Sequence, residues 1–154
     1  MMDDDFLIAD ILANTRTIAM VGASANWKRP SFFVMKYMQK QGFRVIPVNP
    51  GLAGQSLNGE KVYASLSDIP DKIDMVDIFR RSEECPELAS QAAKIGAKTL
   101  WLQIGVMSDI AEEIAAASQM QFIQNRCPKI EHSRLSGLLG LGGFYSGLLS
   151  ARRA

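Results

Sequence analysis

The segment VGASANWKRPS, residues 21–31, has the composition of a loop that lies close to a phosphate group. Gly22 allows a tight turn directly after an apolar run, and Ala23 and Ser24 are small enough for a phosphate to approach the backbone. A helix that begins shortly afterwards adds free N–H groups and the positive end of its dipole. The segment has one glycine where dinucleotide-binding fingerprints have three, so a turn that binds nothing is the alternative.

Positively charged residues follow three of the apolar runs in the chain. They are Lys28 and Arg29, Arg80 and Arg81, and Arg126 and Lys129. Because the carboxyl ends of parallel strands meet at one edge of a sheet, these side chains would gather there. The net charge is only +1, which gives no overall attraction to nucleic acid or an anionic membrane and argues against both as partners. The local cations favour a small polyanionic ligand, although lysine and arginine are also common in loops without one.

Short β-branched runs alternate with longer segments of helical period, a pattern typical of an α/β protein with a mainly parallel sheet. Strands are predicted at 17–22, 43–48, 74–79, 98–105 and 121–125, and helices at 4–14, 31–41, 84–95 and 108–118. We expect five or six strands, with the five numbered along the chain arranged in the spatial order 3-2-1-4-5. Residues 49–70 break the pattern and form a long irregular connection, a kind of loop that often contributes to function.

The length of 154 residues predicts a single domain, 1–154. It would consist of a leading helix in 1–15, a central sheet, and a glycine-rich tail, 136–154, that packs on the domain or on a partner subunit. The acidic start is not a secretory signal, which predicts a cytoplasmic protein. Cys85 and Cys127 are expected to be free, since the assumed strand order separates them by about 19 Å and a disulfide needs about 7 Å or less.

The end of the second predicted strand discriminates between nucleotides. An NAD site normally has an acidic residue there to bind the ribose, but this chain has Val48, Asn49 and Pro50, and no acid before Glu60. The glycines and the Ser or Thr of an ATP-binding P-loop are also missing around Lys28. The sequence therefore favours a nucleotide with an additional phosphate.

A set of motifs extends this interpretation to most of the chain. The motifs are VGAS, RPS, VIPVNP, FRR, WLQIGV and NRCPKIEH, in that order. In order and spacing they resemble the small bacterial CoA-binding proteins of the YccU type, which are similar to the N-terminal CoA-binding domain of the succinyl-CoA synthetase alpha subunit. The resemblance implies a Rossmann-like, three-layer fold and a site for CoA or an acyl-CoA at the first crevice of the sheet.

Carried over position by position, the resemblance implies three groups of cofactor-binding residues. The CoA phosphates would lie at Gly22, Ala23, Ser24, Lys28, Arg29, Pro30 and Ser31, the adenosine at Val48, Asn49, Pro50, Phe79 and Arg80, and the pantetheine at Gln103, Gly105, Asn125, Arg126 and Cys127. No catalytic or metal-binding residue is assigned. His132, the only histidine, lacks the glycine-flanked setting of a phosphorylated ligase histidine, so the ligase reaction is not expected.

The resulting expectation is a nucleotide-binding protein that acts as a non-catalytic CoA-binding, carrier or sensor protein. The alternative is an NAD(P)-dependent oxidoreductase or an acyl-CoA ligase subunit that works with a partner chain. Besides the small-molecule CoA ligand, the expected partner is either a second copy of the chain or another protein.

Two further residue types bear on reactivity. Cys127 lies beside Arg126, and a neighbouring cation and helix start favour a reactive thiolate. One hypothesis is therefore disulfide exchange with CoA; the alternative is an inert, partly buried thiol.

Asp74 and Asp77 are three residues apart in a predicted strand. They should point to opposite faces of the sheet and cannot share a substrate.

Overall fold

A computed structural model describes the backbone of residues 2–142 and the side chains of residues 4–136. The helices of this part of the chain are α1 (Met2–Ala13), α2 (Pro30–Lys40), α3 (Cys85–Lys94), α4 (Asp109–Ala117) and α5 (Pro128–Gly142). The strands are β1 (Thr17–Val21), β2 (Arg44–Val48), β3 (Ser56–Leu57), β4 (Glu60–Lys61), β5 (Met75–Ile78), β6 (Thr99–Leu102) and β7 (Gln121–Ile123). The strands and helices predicted from the sequence are all present, with bounds that shift by at most a few residues.

Five strands form one parallel sheet in the order β2-β1-β5-β6-β7. The predicted parallel α/β fold is confirmed, but the expected strand order is wrong. Numbered along the chain, the five strands lie in the order 2-1-3-4-5, because β5 pairs with β1, with Met20 opposite Asp77, and not with the outer edge of β2. This order places the topological switch point, where ligands bind in such sheets, between β1 and β5.

Helices cover both faces of the sheet and create two separate cores. One core lies under α1, α2 and α5 and contains Met20 and Trp101. The other lies under α3 and α4 and contains Val21 and Leu102. Neighbouring residues of a strand enter different cores because side chains alternate between the faces. The result is the three-layer arrangement expected from the sequence.

Local sequence explains where several elements begin and end. Pro30 occupies the first position of α2, where a missing N–H is tolerated. The Ser108 hydroxyl caps α4 by accepting a hydrogen bond of 3.1 Å from the Ala111 N–H. Gly42 follows α2 with a φ of +99°, a conformation that favours glycine and ends the helix.

The connection between β2 and β5 is more ordered than predicted. It contains the antiparallel β3–β4 hairpin and a short 3-10 turn on either side of it. Tyr63 pairs with Val48, with its N–H donating to the Pro47 carbonyl at 3.0 Å. This pairing returns the connection to the end of β2, so residues after Tyr63 lie beside the carboxyl edge of the sheet.

Both cysteines are free, as predicted, but the reason given from the sequence is wrong. The cysteines follow β5 and β7, which are separated only by β6. Cys85 belongs to the core under α3 and α4, and Cys127 belongs to the core under α1, α2 and α5. The sheet itself therefore keeps the two thiols apart.

The last part of the predicted tail, residues 143–154, lies outside the described residues, and its packing stays a prediction. The part of the tail that is described continues α5 as far as Gly142. In the described part of the chain, every helix is too short or too polar to cross a membrane.

Asp74 fixes the amino end of the sheet, and its replacement tests how much this contributes. Its Oδ2 accepts hydrogen bonds from the N–H groups of Arg16 at 2.9 Å and Thr17 at 3.1 Å. Asp74→Ala removes both acceptors, and we expect the free energy of unfolding to fall by about 1–3 kcal/mol. Asp74→Asn keeps a carbonyl oxygen and should lose less. Urea denaturation measures both, and equal losses would contradict the assignment.

Candidate functional site

A groove of about 400 Å³ opens at the carboxyl ends of β1 and β5. We call it the loop pocket, and it is lined by Gly22, Ala23, Ser24, Arg29, Pro30, Ser31, Asn49, Phe79 and Arg80. All nine residues belong to the set predicted from the sequence. The pocket lies at the topological switch point of the sheet, which is the expected position of a ligand in this architecture.

Gly22 permits the close approach of β1 and β5 that forms the floor of the loop pocket. Its φ is +88°, and its N–H donates to the Val48 carbonyl at 2.9 Å. A Cβ at this position would lie 3.0 Å from the Phe79 carbonyl oxygen and 3.0 Å from Arg80 Cδ. Both the backbone conformation and the available space therefore require glycine.

Asn49 ties the loop after β2 to the loop after β1. Its Nδ2 donates to the Ala23 carbonyl at 2.8 Å, and its Oδ1 accepts from the Gly51 N–H at 2.8 Å. With both ends of its amide engaged, Asn49 acts mainly as a support for the wall of the pocket. Asn49, predicted to lie beside adenosine, thus holds the loop after β1 in place.

The amino end of α2 gives the loop pocket a positive potential. In this helix no side chain caps the free N–H groups, and no acidic residue lies in the first turn. Arg29 occupies the cap position and lines the pocket together with Ser31. An exposed helix amino end beside an arginine is a suitable place for an anionic group.

Arg80 supplies the second cation of the pocket and is held by Glu84. Its Nε and one terminal nitrogen each lie 3.0 Å from Glu84 Oε1. Partial burial acts to raise the pKa of Glu84, but the hydrogen bonds and charge of Arg80 and then Arg81 outweigh it, so the pKa is lowered overall. A pair this exposed adds little stability, and its main effect is to orient the Arg80 side chain.

A second pocket of about 200 Å³ shares Gly22 and Arg80 with the loop pocket. We call it the apolar pocket, and its other lining residues are Val21, Val48, Pro50, Ala64, Ser65, Leu66, Glu84, Leu88 and Gln91. Its surface is largely carbon, which suits a flat, weakly polar group such as a nucleobase. Together the two pockets offer a charged compartment and an apolar one on either side of Arg80.

Sequence reasoning identified Val48 and Pro50 in the apolar pocket but missed most of its lining. Ala64, Ser65 and Leu66 belong to the connection after β2, whose unusual length was the only signal for them. Leu88 and Gln91 lie on α3 and resemble ordinary helix positions in the sequence. They reach the pocket only because α3 packs beside β5.

Six residues predicted to bind the cofactor line neither pocket: Lys28, Gln103, Gly105, Asn125, Arg126 and Cys127. Lys28 Nζ lies 5.5 Å from the centre of the Trp27 ring. The Asn125 Oδ1 accepts from the Gly105 N–H at 2.8 Å and joins the loops after β6 and β7. Arg126 is directed toward the helices, where it pairs with Asp4 and Glu131.

Both thiols and the histidine are buried. Cys127 is only 5% exposed, which limits its access to a disulfide. Burial, with a smaller effect of Glu84 and Glu83, raises the pKa of the Cys85 thiol to about 11. His132 is buried, with Nδ1 2.9 Å from the Tyr37 hydroxyl.

Residues 16–133 match a family model described as CoA binding domain. The chain belongs to this CoA-binding domain family. The family resemblance inferred from the motifs is therefore confirmed.

Individual relatives show both small proteins and larger enzymes. Uncharacterized protein YneT of Bacillus subtilis is 35% identical over 126 residues, which are 82% of this chain and 92% of YneT. The structure of a hypothetical protein from Pyrococcus horikoshii superposes with a TM-score of 0.81, at 40% identity, over 85% of this chain and 91% of that chain. The ADP-forming acetate–CoA ligase I subunit alpha of Pyrococcus furiosus is 28% identical over 108 residues, or 68% of this chain but 23% of the subunit.

Asp77 is the most unusual polar residue of this CoA-binding domain. It lies in the middle of the sheet, 1% exposed, and its Oδ1 has no hydrogen-bond partner among the described residues. Burial raises the pKa of its carboxyl well above the ordinary value. Asp74, by contrast, lies before β5 and accepts hydrogen bonds from the backbone.

Replacing Gly22 with alanine should destabilise the domain more than the same change at Gly96. Both glycines have positive φ values, +88° and +76°, but a Cβ at Gly96 would meet no atom within 4 Å. Strain alone costs about 1–2 kcal/mol at each position. Gly22→Ala adds a close contact with the Phe79 carbonyl, so its free energy of unfolding should fall by at least about 1 kcal/mol more than that of Gly96→Ala. Urea denaturation compares the variants, and equal losses would argue against a tight β1–β5 contact.

The buried carboxyl of Asp77 predicts a pH dependence of stability. Because its pKa is raised in the folded state, the folded protein binds this proton more tightly than the unfolded chain. Its contribution is fully present below pH of about 4 and is lost as the pH rises toward the folded-state pKa. The free energy of unfolding of wild type should therefore fall over this range relative to Asp77→Asn. Parallel pH profiles of the two proteins would contradict this.

Proposed function

We propose that this protein binds CoA or an acyl-CoA at the carboxyl edge of its sheet. The phosphates would occupy the loop pocket and the adenine the apolar pocket. The observation that carries the proposal is the uncapped amino end of α2, flanked by Arg29 and Arg80 in one groove. Membership of the CoA-binding domain family supports the same ligand.

The shape and charge of the two pockets favour CoA over NAD. CoA carries a phosphate on its ribose and needs cations near the adenosine, whereas NAD needs a carboxylate at the end of the second strand. Here the end of β2 presents Asn49, whose amide is bonded to Ala23 and Gly51. Glu84, the acid of the apolar pocket, is paired with Arg80.

We infer a binding, carrier or sensor role without catalysis, in the cytoplasm. Within the described residues, no group of three or more metal-ligating side chains occurs, and the histidine and both thiols are buried. Two cysteines that form no disulfide fit a reducing compartment. The similarity to a ligase alpha subunit keeps a second candidate: a subunit that contributes a CoA site to a partner chain.

Alanine substitutions at Arg29 and Arg80 test the site directly. Each removes a charge-assisted contact, so the affinity for CoA should fall about 10-fold to 100-fold, with a smaller dependence on salt. Lys98→Ala is the matched control, since Lys98 pairs with Asp74 at the opposite edge of the sheet. Isothermal titration calorimetry measures all three variants. Unchanged affinity in both arginine variants would refute the proposed phosphate site.

The same titrations with NAD, NADP and ATP separate the alternatives. Selective binding of CoA compounds supports the proposal, whereas tighter binding of NAD or NADP would favour an oxidoreductase. CoA-dependent acyl transfer that appears only after addition of a partner chain would identify a ligase subunit.

A further inference from the structure

Gln103 lies next to the loop pocket although it does not line it. Its N–H donates to the Ile78 carbonyl at 3.2 Å, which continues the pairing of β6 with β5 by one residue. Since Ile78 lies opposite Leu102, Gln103 lies opposite Phe79, a lining residue of the loop pocket. The pantetheine arm of a bound CoA would pass this position if it left the phosphates along the edge of the sheet.

Asp77 and Gln103 share one face of neighbouring strands. Asp77 lies opposite Trp101, and Gln103, two residues further along β6, points to the same face as Trp101. Strand spacing and rise put the two Cα atoms about 8 Å apart. This is a distance that an aspartate and a glutamine side chain can bridge together.

Each of these side chains has a buried oxygen that finds no hydrogen-bond partner in the part of the chain that the structure describes. The atoms are Asp77 Oδ1 and Gln103 Oε1, and two such acceptors are costly to bury. One proton on Asp77 would satisfy both atoms if the carboxyl O–H donated to Gln103 Oε1. The amide nitrogen of Gln103 is not a buried unpartnered atom, which fits an amide with its oxygen toward the core and its nitrogen toward the pocket.

We propose that protonated Asp77 is a positioning residue for the ligand: its O–H holds Gln103 Oε1, so that the Gln103 NH₂ group faces the pocket edge and donates to a carbonyl of the pantetheine arm. This inference rests on the proposed binding of CoA. If Asp77 loses its proton, the carboxylate attracts the NH₂ group instead. The amide then turns over and presents its oxygen, which repels a ligand carbonyl.

The surroundings of Asp77 favour the protonated form. The elements packed on this face of the sheet are α1, α2 and α5. Among the described side chains, the titratable groups that these elements carry toward one another are Asp5, Arg134 and Glu131, which form ion pairs, and Tyr37 and His132, which share a hydrogen bond. Lys129 Nζ lies 5.4 Å from the centre of the Tyr37 ring, Asp4 pairs with Arg126, and Cys127 precedes α5. Burial alone raises the pKa of Asp77, without a contribution from any of these groups.

The test compares two ligands on three proteins. The ligands are acetyl-CoA, whose sulfur does not ionise, and 3′-phospho-ADP, which lacks the pantetheine arm. The proteins are wild type, Asp77→Val, which removes the donor, and Asp77→Asn, whose amide still donates to Gln103 but does not titrate. Calorimetric titrations between pH 6 and 9 give each affinity, and the ratio of the two ligands isolates the pantetheine arm.

We expect Asp77→Val to bind acetyl-CoA about 3-fold to 10-fold more weakly, the value of one neutral hydrogen bond, with unchanged affinity for 3′-phospho-ADP. Asp77→Asn should restore the acetyl-CoA affinity. The affinity for acetyl-CoA divided by the affinity for 3′-phospho-ADP should fall with rising pH in wild type and stay constant in Asp77→Asn.

Other outcomes separate the two proposals. If wild type binds neither ligand, the proposed function is wrong, and the inference fails with it. If wild type binds both, but the ratio is the same in every protein at every pH, only the role of Asp77 is overturned. Should Asp77→Val not fold, the pH dependence of wild type against Asp77→Asn decides alone.

Discussion

The pairing of β1 with β5 is the contact on which the candidate site depends. It joins β1 to β5, which is the third strand of this sheet along the chain, and leaves β2 at the edge of the sheet. The loops that leave β1 and β5 therefore diverge from neighbouring strand ends, and the groove between them becomes the loop pocket. Gly22 favours the pairing at this point, since a Cβ would lie only 3.0 Å from the Phe79 carbonyl oxygen.

The same pairing explains why a charged compartment and an apolar compartment lie on either side of Arg80. This side chain lies between a compartment with a helix amino end and a compartment lined mainly by carbon. The connection from β2 closes the apolar compartment because Tyr63 pairs with Val48. This combination suits a ligand with several phosphates and a flat base, because Arg29 and Arg80 both line the charged compartment.

The middle of the sheet carries a different constraint. Asp77 replaces what would otherwise be an apolar position beside Met20 and Trp101. In such a place a carboxyl is stable only when it is neutral or has a partner. Gln103 is a suitable partner on the neighbouring strand, since it lies on the same face as Asp77 and opposite Phe79, which lines the loop pocket.

The sequence by itself determined the α/β class, the approximate bounds of the strands and helices, the family, and the residues of the loop pocket. The class and the bounds depend on local patterns: the alternation of apolar periods, the glycine after β1 and the proline that begins α2. The family and the full set of pocket residues follow from the resemblance carried by the motifs. The contact by which Trp101 Nε1 donates to the Arg126 carbonyl at 2.8 Å, and so holds the loop after β7, has no such local signal.

Only the tertiary structure decided the order of the strands, because hydrophobic pattern identifies a strand but not its neighbour. That order determined where the switch point lies and why Arg126, a cation at a strand end like Arg80, pairs with Asp4 and Glu131 instead of lining the pocket. It also brought Leu88 and Gln91 into the apolar pocket. The tertiary structure also decided the position of the unpaired oxygens of Asp77 and Gln103, since two residues twenty-six positions apart come close only when β5 and β6 pair.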